Sequence, residues 1–239
     1  ANYTYSKALT DFEGSDANFS ALLDLTLGGE LEKKRQTNDV THIFKANGVW
    51  ALPIGPGKNF LNYGGVMGKL LGGWQVNGIF EKRTGRPISF ISGRGTLNRN
   101  GRSGKNTAVT TLNVNDLKAS TGVFFDPVTG RPLVIDPKLI GPDGRANPQF
   151  FQHPKPGTVG TLHLTPASGP GYWNLDLSFI KRTNLTEHTN VEFRAEFFNI
   201  FNHTNFFTGE SRDINSTNFG RITDTFDPRI IQFALKFNF

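Results

Sequence analysis

The sequence predicts an all-β fold, an antiparallel transmembrane β-barrel portion of about six strands with long extracellular loops. Three observations lead there. Apolar and polar residues alternate over blocks of about ten residues, the length a tilted strand needs to cross a bilayer. All three tryptophans, Trp50, Trp74 and Trp173, fall near predicted strand ends, where the aromatic girdles of such barrels lie. Long polar connections alternate with shorter ones, as extracellular loops alternate with periplasmic turns.

The strand blocks follow in order. "NYTYSKAL" puts Tyr3 and Tyr5 on one face. "HIFKANGVWAL" sets Phe44, Ala46, Gly48, Trp50 and Leu52 against Lys45, Asn47, Val49 and Ala51. "WQVNGIFEK" sets Trp74, Val76, Gly78 and Phe80 against Gln75, Asn77, Ile79 and Glu81. "YWNLDLSFIK" sets Trp173, Leu175, Leu177 and Phe179 against Asn174, Asp176 and Ser178. "NVEFRAEFFNIF" sets Val191, Phe193, Ala195 and Phe197 against Glu192, Arg194 and Glu196. "RIIQFALKFNF" ends the sequence with Ile231, Phe233, Leu235, Phe237 and Phe239 on one side. Period-two alternation is the mark of a strand with two unlike faces.

A soluble sandwich alternates too, so the polar faces and the connections decide. With the apolar faces toward lipid, Lys45, Glu81, Asp176, Glu192, Arg194 and Glu196 would turn inward. The connections at about 10–41, 92–171 and 202–228 are long and polar, while 53–73 is of medium length and 181–189 is short. If the last strand runs down to the periplasm, each connection falls on its expected side. A terminal strand with an apolar stripe ending on Phe239 then needs no polar tail.

Composition narrows the function classes. The 239 residues carry a formal net charge of +6, 36% hydrophobic residues, 22 Phe and no Cys. Phe-rich apolar content leans toward strands. Without cysteine there is no disulfide framework and no thiolate ligand or nucleophile. The basic residues are spread out, with one short cluster at Lys33, Lys34 and Arg35 and no stripe interleaved with stacking aromatics, so nucleic acid is not an expected partner. No apolar run is long enough for a transmembrane helix. The five histidines stand apart and the serines lack a nucleophile-elbow context, so no enzyme activity and no cofactor is expected. Asp126, Asp143 and Asp213 offer oxygens that suit Ca²⁺. Their spacing fits turn chemistry better, and no metal is expected.

At "GPGYWNLDLSFIKRTNLTEHTNVEFRAEFFNIFNHTNF" the sequence resembles the C-terminal barrel region of TonB-dependent outer-membrane receptors, nearest to the Oar-like group with a carboxypeptidase-regulatory-like domain. "NYTYSKALTD", "GVWALPIGPGKNF", "LLGGWQVNGIFEKRTGRPISF" and "FGRITDTFDPRIIQFALKFNF" extend the resemblance along the chain, with 93–165 matching least. The resemblance implies a larger barrel, plugged by an N-terminal domain and driven by the TonB system. Six strands are fewer than the eight of the smallest single-chain barrels. Residues 1–239 therefore read as the C-terminal part of such a barrel, without its plug.

The expected role is TonB-driven uptake of a nutrient such as a siderophore, an oligosaccharide or a peptide, in the bacterial outer membrane. The alternative is a structural or adhesion protein whose loops bind a partner without transport. Glu192, Arg194 and Glu196 are candidate lumen-facing residues, either touching plug or substrate or forming an ion ladder with neighbouring strands. Phe233, Leu235, Phe237 and Phe239 resemble the signal read by the barrel assembly machinery. Trp50, Trp74 and Trp173 are candidate interface aromatics. Phe124, Phe125, Phe150 and Phe151 either grip a ligand or pack the loop on itself, and the sequence does not choose between these. The expected partners are outer-membrane lipid, the assembly machinery, the TonB system and an unknown small ligand.

Overall fold

The computed structural model describes residues 1–11, 33–94, 96, 106–163, 165–207 and 212–239. The middle of the first long connection therefore lies outside the described residues. Six strands build one sheet: β1 (Asn2–Tyr5), β2 (His42–Ala51), β3 (Trp74–Arg83), β4 (Tyr172–Asn184), β5 (Asn190–Phe198) and β6 (Ile230–Asn238). Each pairs antiparallel with its neighbour in sequence, and the sheet order runs from β1 to β6 without a crossover. This is an up-and-down meander, open at β1 and β6 among the described residues.

The register turns six separate alternations into two continuous faces. Phe44 and Ala46 lie opposite Lys82 and Phe80, Phe80 opposite Leu175, Phe179 opposite Ala195, and Phe193 opposite Leu235. All lie on one face, which Lys82 and Lys181 alone interrupt with charge. On the other face Lys45 meets Glu81, Glu81 meets Asn174, Arg182 meets Glu192, and Glu192 meets Lys236. A slip of one residue in any pairing would exchange these faces, so the two-sided pattern fixes the register. On β6 the apolar face is open: Phe233 is 68% exposed and Leu235 61%. An apolar surface of this extent marks a membrane or a partner.

Two connections depart from the expected outline. β4 continues to Asn184, which leaves only residues 185–189 as the turn, closed by Leu185 N–H donating to Thr189 O at 2.9 Å. The connection after β2 carries a short helix, α1 (Gly65–Leu71). No periodic signal announces it, because the segment is rich in glycine and its apolar residues do not pack inward.

The water-excluding core of the chain lies in the long loops. Ile88, Phe90, Leu117, Val134, Ile135, Leu139, Phe151, Leu162, Phe219 and Ile222 are buried together. They come from the 84–171 and 199–229 connections. Each large apolar side chain fully buried contributes roughly 1.5–3 kcal/mol, so this core holds the two loops as one body. Phe90, Phe151 and Phe219 form a three-ring cluster with centroids 5.5, 6.0 and 5.7 Å apart. Backbone bonds stitch the same loops: Ile91 N–H to Arg212 O at 2.9 Å, Val134 N–H to Gly220 O at 2.8 Å, and Ile222 N–H to Pro132 O at 3.0 Å.

The first long loop joins this body through Arg35. Its guanidinium pairs with Asp39 at 2.9 Å and donates to Ser168 Oγ and Thr41 Oγ1 at 2.8 Å each, and its carbonyl accepts from Thr165 Oγ1. Asp39 is buried and also accepts from Ala8 N–H at 2.9 Å. All three long connections thus meet at one end of the sheet.

Of the loop phenylalanines, two pack into the loop body. Phe151 is core and Phe150 packs against it. Phe124 lies opposite Leu133 in a small hairpin, and Phe125 is exposed, edge-on to Phe206. The loop aspartates serve turns. Asp126 accepts from the N–H groups of Val128 and Thr129, Asp143 from Arg145, and Asp213 from Asn215.

Candidate ligand vestibule beneath the loops

A concave site lies where the polar face of the sheet passes under the loops. Tyr172, Asn174 and Asp176 of β4 form one wall, Phe198 and Ile230 a second, and Asn205, Phe226 and Asp227 of the last loop the third. A second hollow, lined by Arg83, Arg86, Pro170 and Phe207, shares Tyr172 and Phe226 with it. Together the two hollows are termed the vestibule.

Its aromatic wall is built from rings in mutual contact. The Tyr172 and Phe226 rings meet edge-to-face at 5.0 Å, and Phe207 meets Phe226 edge-on at 5.5 Å. The Arg83 guanidinium lies 4.4 Å from the Tyr172 ring centre and pairs with Glu81 at 3.4 Å. A cation over an aromatic face and beside a carboxylate is held in one orientation. Arg86, at the rim, is exposed.

Three asparagines and one aspartate set the polar wall. Asp176 Oδ1 accepts from Asn174 Nδ2 at 2.7 Å and from Asn199 N–H at 2.8 Å. Asn199 has φ 52°, a left-handed turn that asparagine tolerates better than most residues. Its amide donates to His203 O at 2.9 Å and accepts from His203 N–H at 2.9 Å. Asn205 accepts from Trp173 N–H at 3.0 Å and donates to Trp173 O at 2.8 Å, standing in for a missing strand neighbour. The buried acceptor Asn174 Oδ1 has no partner among the described residues. A buried polar atom left unpaired is costly.

Below the vestibule the polar face carries an ion ladder. Glu192, nearly fully buried, is held by Arg182 at 2.6 Å from the adjacent strand and by Arg194 at 2.6 Å from its own. Glu196 accepts from Gln232 on β6. Lys45 pairs with Glu81 at 3.2 Å. The triplet Glu192, Arg194 and Glu196 thus shares one face, with each member engaged.

The remaining expected residues fall as follows. Trp50 is the penultimate residue of β2 and Trp74 the first of β3, at the end away from the loops. Trp173 is the second residue of β4, at the loop end, with His203 stacked on it at 4.3 Å. Phe233, Leu235 and Phe237 share the apolar face of β6, and Phe239 follows the strand, fully exposed. His153 bonds Ser92 Oγ through Nδ1 at 2.7 Å, and burial, with Arg94 nearby, lowers its pKa below the usual histidine range.

Sequence reasoning missed the vestibule. Its walls come from two connections and the strands between them, whose meeting no local pattern reveals. The asparagines of "FNIFNHTNF" were the available signal, since asparagine at several turn positions points to side chains bonding the backbone.

An antiparallel meander with one apolar and one polar face, strands of 9–13 residues after the short β1, and long loops gathered at one end define a β-barrel protein of the bacterial outer membrane. The chain belongs to the family described as the outer membrane beta barrel domain, whose model matches residues 1–232. No curated protein and no solved structure matches the chain.

Proposed function

We propose that this chain is the C-terminal barrel portion of a TonB-dependent receptor that takes up a nutrient: a siderophore, an oligosaccharide or a peptide. The polar face lines the lumen, where Glu192, Arg194 and Glu196 form the wall. The apolar face meets lipid, and Trp50, Trp74 and Trp173 mark its two interfaces. The terminal stripe Phe233, Leu235, Phe237 and Phe239 addresses the barrel assembly machinery. A plug domain and the TonB system, engaged through an N-terminal part of the receptor, gate and drive the passage. The chain performs no catalysis.

One observation carries this reading. Two long loops, 84–171 and 199–229, close together over a vestibule whose floor is the polar face of the sheet. A surface built only for attachment would need outward-facing loops, not a roof over an inward-leading hollow. Aromatic faces beside amide and carboxylate groups suit an oligosaccharide, which stacks on rings and hydrogen-bonds through its hydroxyls.

The test is uptake of labelled ligands by cells with and without the gene, repeated after collapse of the proton-motive force. Uptake that needs both the gene and the force supports the proposal. Unchanged uptake together with lost attachment to surfaces would favour the adhesion role.

A further inference from the structure

We propose that residues 54–71 form an interfacial foot that lies on the membrane surface at the end of the barrel away from the loops, and that its partner is anionic phospholipid. The inference starts from how α1 is docked. Gly68 and Gly72 face the Gly55–Pro56 turn so closely that a Cβ on Gly68 would stand 2.2 Å from Tyr63 O and 2.6 Å from Pro56 Cγ. The helix therefore packs on the protein through bare backbone and turns its side chains away.

Those side chains are apolar. Val66 is 75% exposed, Met67 54% and Leu70 58%, and Phe60, Leu61 and Tyr63 just before the helix are exposed as well. A soluble loop does not gather six large apolar side chains within residues 60–70 and present them all to water.

The foot is continuous with the apolar face of the sheet. Lys181 Nζ donates to Lys69 O at 2.9 Å and Gly72 O at 2.6 Å, at the C-terminal end of α1. Lys181 belongs to the apolar face of β4, in register with Trp74 and Phe193, and its ammonium lies 5.3 Å from the Trp74 ring centre. A lysine reaching from an apolar face to the end of a helix, beside a tryptophan, is the arrangement of a bilayer boundary.

Charge names the lipid. Residues 53–73 contain Lys58 and Lys69, both exposed, and no acidic residue. An apolar helix face flanked by lysines lies at the headgroup level and is drawn to anionic lipid.

The chain has no cysteine, so Met67→Cys introduces a single thiol for a polarity-sensitive fluorophore. The protein is reconstituted in phosphatidylcholine vesicles, with and without phosphatidylglycerol, each containing a lipid spin-labelled near the headgroup. Val128→Cys in the loop body, where the native residue is 91% exposed, is the reference. The expected result is quenching at position 67 several-fold stronger than at 128, increased by phosphatidylglycerol and reduced toward the reference by Lys58→Glu with Lys69→Glu. A water-exposed, unquenched label at 67 overturns the proposal. A shielded label that the lipid probe does not quench overturns it too, since it places a second copy or another protein there. Equal quenching with and without phosphatidylglycerol overturns the assignment of anionic lipid.

Discussion

Asp176 of β4 accepts the backbone N–H of Asn199 at 2.8 Å, across the junction where β5 ends and the last loop begins. The carboxylate thus fixes the left-handed turn at Asn199, which in turn holds His203 and sets Asn205 against Trp173. The polar wall of the vestibule is one chain of such bonds.

Asn199→Ala is expected to destabilise the protein by about 3 kcal/mol, from unmet buried hydrogen bonds and the cost of a left-handed alanine. Asn199→Gly loses the same side-chain bonds without the backbone strain. It should cost about 1 kcal/mol less. Thermal unfolding in micelles, followed by circular dichroism, measures the difference. Equal losses would mean that the turn is not strained.

Glu192→Gln is expected to destabilise more than Glu196→Gln. Glu192 holds two arginines while itself buried, and Glu196 holds one glutamine. Removing one member of a buried ion pair costs about 3–5 kcal/mol; with Arg182 and Arg194 half-exposed, about 2 kcal/mol is expected here. Urea unfolding of the two variants in the same detergent ranks them.

Arg35→Ala is expected to loosen the loops without unfolding the sheet. It leaves the buried Asp39 carboxylate without its cation and removes the bond to Ser168. A loss of about 2–3 kcal/mol confined to residues 33–41 and 165–168 should appear as faster amide exchange there. Exchange that rises equally in β3 and β4 would show that the loops and sheet open as one unit.

The loop body is expected to weaken as pH falls below about 6.5, the ordinary histidine value. Burial lowers the folded pKa of His153. The unfolded chain then binds the proton more readily, and stability is full above the unfolded value and is lost as pH falls toward the folded one. Asp126 and Asp143 have lowered pKa values, chiefly from the N–H groups of Thr129 and Arg145. Their contribution persists until pH falls below the usual carboxylate range. Amide exchange of the loops between pH 7.5 and 5, compared with His153→Gln, separates the two. A pH response unchanged by His153→Gln would exclude His153 as the source.

The sheet was legible in the sequence because its register follows from alternation. Once Phe44, Phe80, Phe179 and Phe193 are placed on one side, pairing leaves little freedom. Length and polarity of the connections were legible for the same reason. The loop body was not, because Phe90, Phe151 and Phe219 come from distant segments with no shared period. The vestibule and the foot were hidden by the same kind of non-local meeting: Arg83 with Phe226, and Lys181 with Gly72.

The Arg35 junction and the Phe90–Phe151–Phe219 cluster tie the tops of three successive hairpins to one another. Mechanically this is a brace. The strands beneath cannot splay or twist independently at that end, so the curvature of the sheet is set there and relaxes toward the short turns. A load applied to one loop passes to the other two through Arg35 and the phenylalanine cluster. Under the proposed uptake role, a motion that admits a ligand tilts the cap about the strand ends near Arg83 and Tyr172, where the Arg83 guanidinium rests against both Tyr172 and Phe226.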